Sequence, residues 1–171
     1  PGAEPERLLF VKALLAAVAG SADKDVAAFF IAQVQLAGRA EAVRPLGRYL
    51  ADEALAGPAA AALRTIGGPD AARTLLAAID KAPRSSRPAV IEALGAMRSR
   101  EAVKKLVPLA GSNDEVLRRA ARSALANIGD PAAGPALAGV PVVASWSERT
   151  EAPGLYLLFA RHGRRASWGR D

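Results

Sequence analysis

Apolar positions recur at helical spacing along most of this chain, and the recurrence itself repeats. Leu117, Ala121, Ala124, Leu125 and Ile128 fall on one face of a helix. Two phrases, "ALRTIGGPDAARTLL" (62–76) and "ALANIGDPAAGPAL" (124–137), are nearly the same text, and a third copy lies between them. Leu63, Leu94 and Leu125 stand in register at a period of 31, followed by Ile66, Met97 and Ile128, then Gly68, Ser99 and Asp130. A period in this range predicts stacked supersecondary units rather than one globular arrangement.

Each phrase reads as one helix ending and another beginning. Gly129 is suited to the left-handed conformation that closes a helix. Asp130 offers a carboxylate to the free N–H groups of the next helix, and Pro131 fits its first turn. Gly67, Gly68 and Pro69 do the same with a weaker cap, and Ser99 is expected to cap the intermediate copy. The corners therefore join antiparallel helices whose apolar faces are buried only by stacking. Second helices carry Leu75, Leu76 and Ile79, then Val103, Leu106 and Val107. The stretch "GRAEAVRPLG" (38–47) is an earlier copy, slightly out of register, and its first helix holds Phe29, Phe30 and Leu36.

The phrase "LRRAARSALANIGDPAA" (117–133) resembles a HEAT-like repeat of the phycobilisome-lyase type. Leu117, Arg118, Ala124, Leu125, Ile128, Gly129, Asp130 and Pro131 match that pattern, and Arg87 matches Arg118 one period back. The expected fold is all-α, an α-α superhelix: a right-handed solenoid of HEAT-like helical hairpins. Residues 1–22 read as a capping helix or the remnant of a preceding repeat. Residues 23–138 read as the repeat array, and 139–171 as a partly helical segment with a basic tail. In that tail Pro153-Gly154 is expected to break a fifth first helix and leave "YLLFARHGRR" as a shorter one.

Composition supports the helical class: 51% of residues are hydrophobic, yet aromatics make up only 5%, with Ala and Leu dominant. There is no cysteine, which excludes disulfides and thiolate metal sites. No apolar run reaches the roughly 18–20 residues of a membrane span. "LLFVKALLAAVAGSA" (8–22) ends as a signal peptide does, but Lys12 interrupts it and Glu4 and Glu6 precede it, so it reads as a helix. The chain opens on Pro1, as a cut fragment or processed product would. Nothing in the sequence fixes a compartment.

Chemistry is sparse. His162, the only histidine, lies among Arg161, Arg164 and Arg165 and reads as a solvated residue of the basic tail. Asp130 is explained as a cap rather than a catalytic acid, and "IGGPD" lacks the lysine of a phosphate loop. No catalytic residue, metal site or cofactor is assigned.

Charge carries more. The net charge is +6, and residues 61–130 hold twelve basic and seven acidic side chains. Glu41-Ala-Val-Arg44, Asp70-Ala-Ala-Arg73 and Glu101-Ala-Val-Lys104 repeat a basic side chain at one position of successive second helices. The resemblance implies that second helices line a concave face, which makes Arg44, Arg48, Arg73, Lys104 and Lys105 candidate partner-binding residues. The simpler explanation is local, because each of the three bases lies three residues after an acid. Arg118, Arg119 and Arg122 read as a solubilising first-helix face, and "ARHGRRASWGRD" as an arm able to grip an anion.

The expected function is a non-enzymatic scaffold for protein–protein interaction, whole or as a module of a larger protein. A nucleic-acid-binding solenoid using a basic groove is the alternative. A lyase-like role in handling a cofactor is implied by the resemblance alone.

Overall fold

A computed structural model describes residues 3–139 and 144–167, the last four of these (164–167) by backbone alone. The helices run α1 (Glu4–Gly20), α2 (Lys24–Ala37), α3 (Ala40–Gly47), α4 (Ala56–Ile66), α5 (Gly68–Ala78), α6 (Arg87–Ala96), α7 (Val103–Leu109), α8 (Glu115–Ile128), α9 (Gly134–Ala138) and α10 (Trp146–Ser167). Short 3₁₀ turns extend α3 at Arg48–Ala51 and lead into α7 at Arg100–Ala102 and α9 at Pro131–Ala133. Among the described residues there is no β-strand, and the fold is an all-α helical solenoid. No helix in the described residues is long and apolar enough to cross a membrane.

The helices succeed one another as the repeat predicts: α2 then α3, α4 then α5, α6 then α7, α8 then α9. Each second helix, or the 3₁₀ turn that opens it, buries the same two residues, an alanine and the leucine four positions on. They are Ala42 and Leu46, Ala71 and Leu75, Ala102 and Leu106, Ala133 and Leu137, none more than 2% exposed. Burying each leucine stabilises the stack by about 1.5–3 kcal/mol. The first step between copies is 29 residues rather than 31, which accounts for the imperfect register of 38–47.

Carboxylates cap the starts of α2 and α8. Asp23 accepts from the Asp25 and Val26 amides at 2.8 and 3.2 Å, and Asp114 accepts from Val116 and Leu117 at 3.1 and 3.2 Å. At the corners Gly67 and Gly129 have φ of 72° and 68°, and Asp130 accepts from Ala132 N at 3.0 Å. Pro131 opens the 3₁₀ turn, while Gly68 and Pro69 open α5. The intermediate corner differs in two ways. Ser99 makes no side-chain capping bond; its backbone carbonyl takes the Ala102 amide. Before it stands Arg98, in the slot of Gly67 and Gly129, with φ of 52° despite its side chain.

The chain divides into two compact units, residues 1–90 and 91–171. In the first, α1 packs on α2 and is clamped by Arg7, which donates to Ala37 O and Glu41 Oε1 at 2.6 Å each and also pairs with Glu4. In the second, α10 packs on α8 and α9. It is one helix that runs through Pro153, contrary to the break expected there. Proline forfeits a single backbone donor, and the helix is held by buried Glu148 and Ala152 on the face toward its neighbours. Residues 160–167 are therefore the end of α10 rather than a free arm; Trp168 and Arg170 lie outside the described residues.

Candidate partner-docking groove

In the first unit the exposed edges of α3 and α5 enclose an open cavity of about 630 Å³. Arg44, Arg48, Arg73 and Lys81 line it, with Asp70 as the one carboxylate. Arg44 and Arg48 are four residues apart, so they project from the same side of α3 and its 3₁₀ extension. Neither they nor Lys81 has a side-chain hydrogen-bond or ion-pair partner among the described residues. The floor is small and apolar: Val43, Gly47, Ala77 and Ala78. A Cβ on Gly47 would lie 2.7 Å from Thr74 Cγ2, so this glycine permits the close approach of the two helices.

The three repeated acid–base pairs fare differently. Asp70 and Arg73 form the expected local ion pair. Glu41 does not hold Arg44, because Arg7 of α1 takes its carboxylate at 2.6 Å. This contact and backbone hydrogen bonds outweigh partial burial and hold Glu41 below the ordinary carboxylate range. Lys104, on α7 in the second unit, is exposed and has no side-chain partner among the described residues, whereas Lys105 is half-buried and engaged. The structure thus brings Arg44, Arg48 and Arg73 together in one cavity, and places Lys104 and Lys105 in the other compact unit.

The second unit holds what the sequence reading misplaced. Arg118 and Arg122, expected on a solvated face, are 1% and 4% exposed. Arg118 donates from Nε and Nη2 to Glu148 at 2.8 and 2.7 Å, and from Nη1 to Ser112 O at 2.6 Å. Arg122 stands one period after Ile91, in a core position, and caps the carbonyls of Ala136 and Leu137 at 2.8 and 3.3 Å. Both arginines are structural: they hold a loop, a helix end and α10 to α8. Of the cluster only Arg119 is exposed, and it pairs with Glu151 at 2.9 Å.

Glu148 is buried as well, and its carboxyl is held down to about 2 by the Arg118 hydrogen bonds, against the cost of desolvation and aided by Ser145. Its Oε2 accepts from Ser145 N at 2.9 Å, completing a capping box written plainly as "SWSE" at 145–148. That spacing was the overlooked signal.

His162 is also no tail residue. It is half-buried against the Gly129 corner, with Nδ1 3.3 Å from Ala126 O and Nε2 3.0 Å from Arg98 Nη2. The carbonyl fixes the tautomer, since Nδ1–H must donate to it and Nε2 then accepts from Arg98.

A further cavity of about 440 Å³ in this unit is lined by Glu92, Glu115, Arg119, Glu148 and Glu151 among others. Arg119 and Arg118 neutralise two of its carboxylates. Among the described residues, no group of three His, Asp or Glu side chains is placed to hold a metal ion.

Residues 77–152 match the family of HEAT repeats. No curated protein matches the chain. The family match covers two of the helical pairs and the start of α10, and the pairs before it bury the same alanine and leucine, a pattern that supports a HEAT-like repeat protein.

Proposed function

We propose that this HEAT-like scaffold is non-enzymatic and docks a partner protein, with the α3–α5 groove of its first unit as the docking surface. One observation carries the reading: Arg44, Arg48 and Lys81 line a single open cavity without intramolecular partners among the described residues. Adjacent like charges on a helix cost about 0.2–0.5 kcal/mol per pair. Binding is what offsets such a cost. The phycobilisome-lyase-type resemblance supports a scaffold role in the same direction.

The nucleic-acid reading draws on the same cations, but three features weigh against it. Asp70 sits among them, no aromatic side chain lines the cavity to stack bases, and the row ends at Pro135, which occupies the corresponding position of the fourth pair.

A display library of random peptides is panned on the immobilised full chain and on an Arg44→Gln/Arg48→Gln variant, alongside anisotropy of labelled duplex and single-stranded DNA at two salt concentrations. The expected result is peptide enrichment on the parent that is lost on the variant, with weak DNA binding indifferent to the substitutions. DNA binding that falls steeply with salt and collapses in the variant would overturn the reading.

A further inference from the structure

We propose that the segment taken by the α3–α5 groove is an acidic peptide; this deepens the docking reading and rests on it. The groove carries four cations against one carboxylate, and that carboxylate, Asp70, is occupied by Arg73. The imbalance is built in by a neighbouring helix. Glu41 is positioned in sequence to neutralise Arg44 across one helical turn, but Arg7 of α1 takes it at 2.6 Å. Arg44 is thereby left facing the cavity with Arg48 four residues on, two guanidinium forks on one side of one helix. Each fork matches the two oxygens of a carboxylate, which a lysine ammonium does not do.

The rest of the cavity suits a polypeptide. Its volume of about 630 Å³ lies within the roughly 300–1,000 Å³ typical of ligand clefts. A floor of Gly47, Ala77 and Ala78 allows a peptide backbone to approach the helices closely. Thr74 and Asp70 supply acceptors for backbone N–H groups. A phosphate backbone has no N–H group to offer these acceptors.

The test uses the full chain and a short fluorescein-labelled peptide of alternating Glu and Ala, with its Gln-for-Glu counterpart and an oligothymidylate as competing probes. Two double variants remove the same charge. Arg44→Gln/Arg48→Gln alters the groove, and Lys12→Gln/Arg64→Gln alters exposed cations of the same unit that do not line it. All four side chains are exposed and without a side-chain partner, so both proteins fold, as circular dichroism checks.

The Glu peptide binds the parent in a salt-dependent manner. The groove variant weakens it roughly tenfold or more, as the loss of charge-assisted bonds requires. The control variant changes it by less than about twofold, and the Gln peptide binds far more weakly. Equal losses in both variants, equal affinity for the Gln peptide, or tighter binding of oligothymidylate would overturn the proposal. If panning instead enriches non-acidic peptides that the groove variant loses, the docking reading stands and the acidic specificity falls.

Discussion

The buried Arg118–Glu148 pair offers the sharpest test of how the second unit is held. Glu148 accepts two hydrogen bonds from Arg118 and one from the Ser145 amide, and both charged side chains are almost completely buried. Its carboxyl falls from an ordinary 4.5 to about 2 on folding. The unfolded chain therefore binds the proton more tightly. Stability from this group is fully present above about pH 4.5 and drains away as pH falls toward 2. That shift corresponds to about 3 kcal/mol, lost at no more than about 1.4 kcal/mol per pH unit. Glu148→Gln removes the charge and can turn an amide N–H₂ toward donors, leaving Arg118 buried without its counterion. The loss of one partner of a buried pair costs about 3–5 kcal/mol, in keeping with the linkage figure.

Urea unfolding followed by circular dichroism, repeated at steps of pH, measures the parent and variant together. Other carboxylates titrate in both proteins, so only the difference between them is read. The gap should be about 3 kcal/mol near neutrality and should close as pH falls below about 4.5. A gap under about 1 kcal/mol near neutrality, or one that persists unchanged in acid, would refute the reasoning.

Three further predictions concern the corners. Gly129→Val should cost more than about 2 kcal/mol in a thermal or urea melt, because a left-handed backbone disfavours a side chain and a Cβ there would lie 2.5 Å from His162 Cβ; Asp130→Ala should cost about 0.5–2 kcal/mol through its lost cap, and a parent-like melt for both would sink the corner assignment. At Arg98, where φ is 52°, the Gly variant should be more stable than the Ala variant by about 1 kcal/mol, although both lose the bond to His162; the opposite order would show that this backbone is not left-handed.

What the sequence made legible was whatever the repeat writes more than once. The period exposed the pairs, because burial in a stack selects the same small and large apolar residues at each copy: Ala71 and Leu75 return as Ala102 and Leu106. Corners were readable for the same reason, since Gly129 and Asp130 act locally on the backbone beside them. Candidate cations were readable as positions, and Arg44, Arg48 and Arg73 do share a cavity. Their partners were not readable. Whether Arg44 is neutralised depends on Arg7, thirty-seven residues earlier and on a helix outside the repeat phrase.

The same blindness affected Arg118 and Arg122. Inside a helix, an arginine on the core stripe and one on the solvent stripe look alike until something tells which stripe is buried. Here that information was present: Arg122 falls in register with Ile91 and Ala60, both buried. Register, applied to charged residues as strictly as to apolar ones, assigns Arg122 to the core. It also demands acceptors for its guanidinium, which the carbonyls of Ala136 and Leu137 provide. Arg44, Arg73 and Lys104 sit in the opposite situation. Their register neighbours Ala42, Ala71 and Ala102 are buried while they themselves are exposed, so nothing in the core accounts for a cation at that position. The arginines that the core explains are structural; Arg44, which neither the core nor a local ion pair explains, is the first residue at which the proposed docking groove is to be tested.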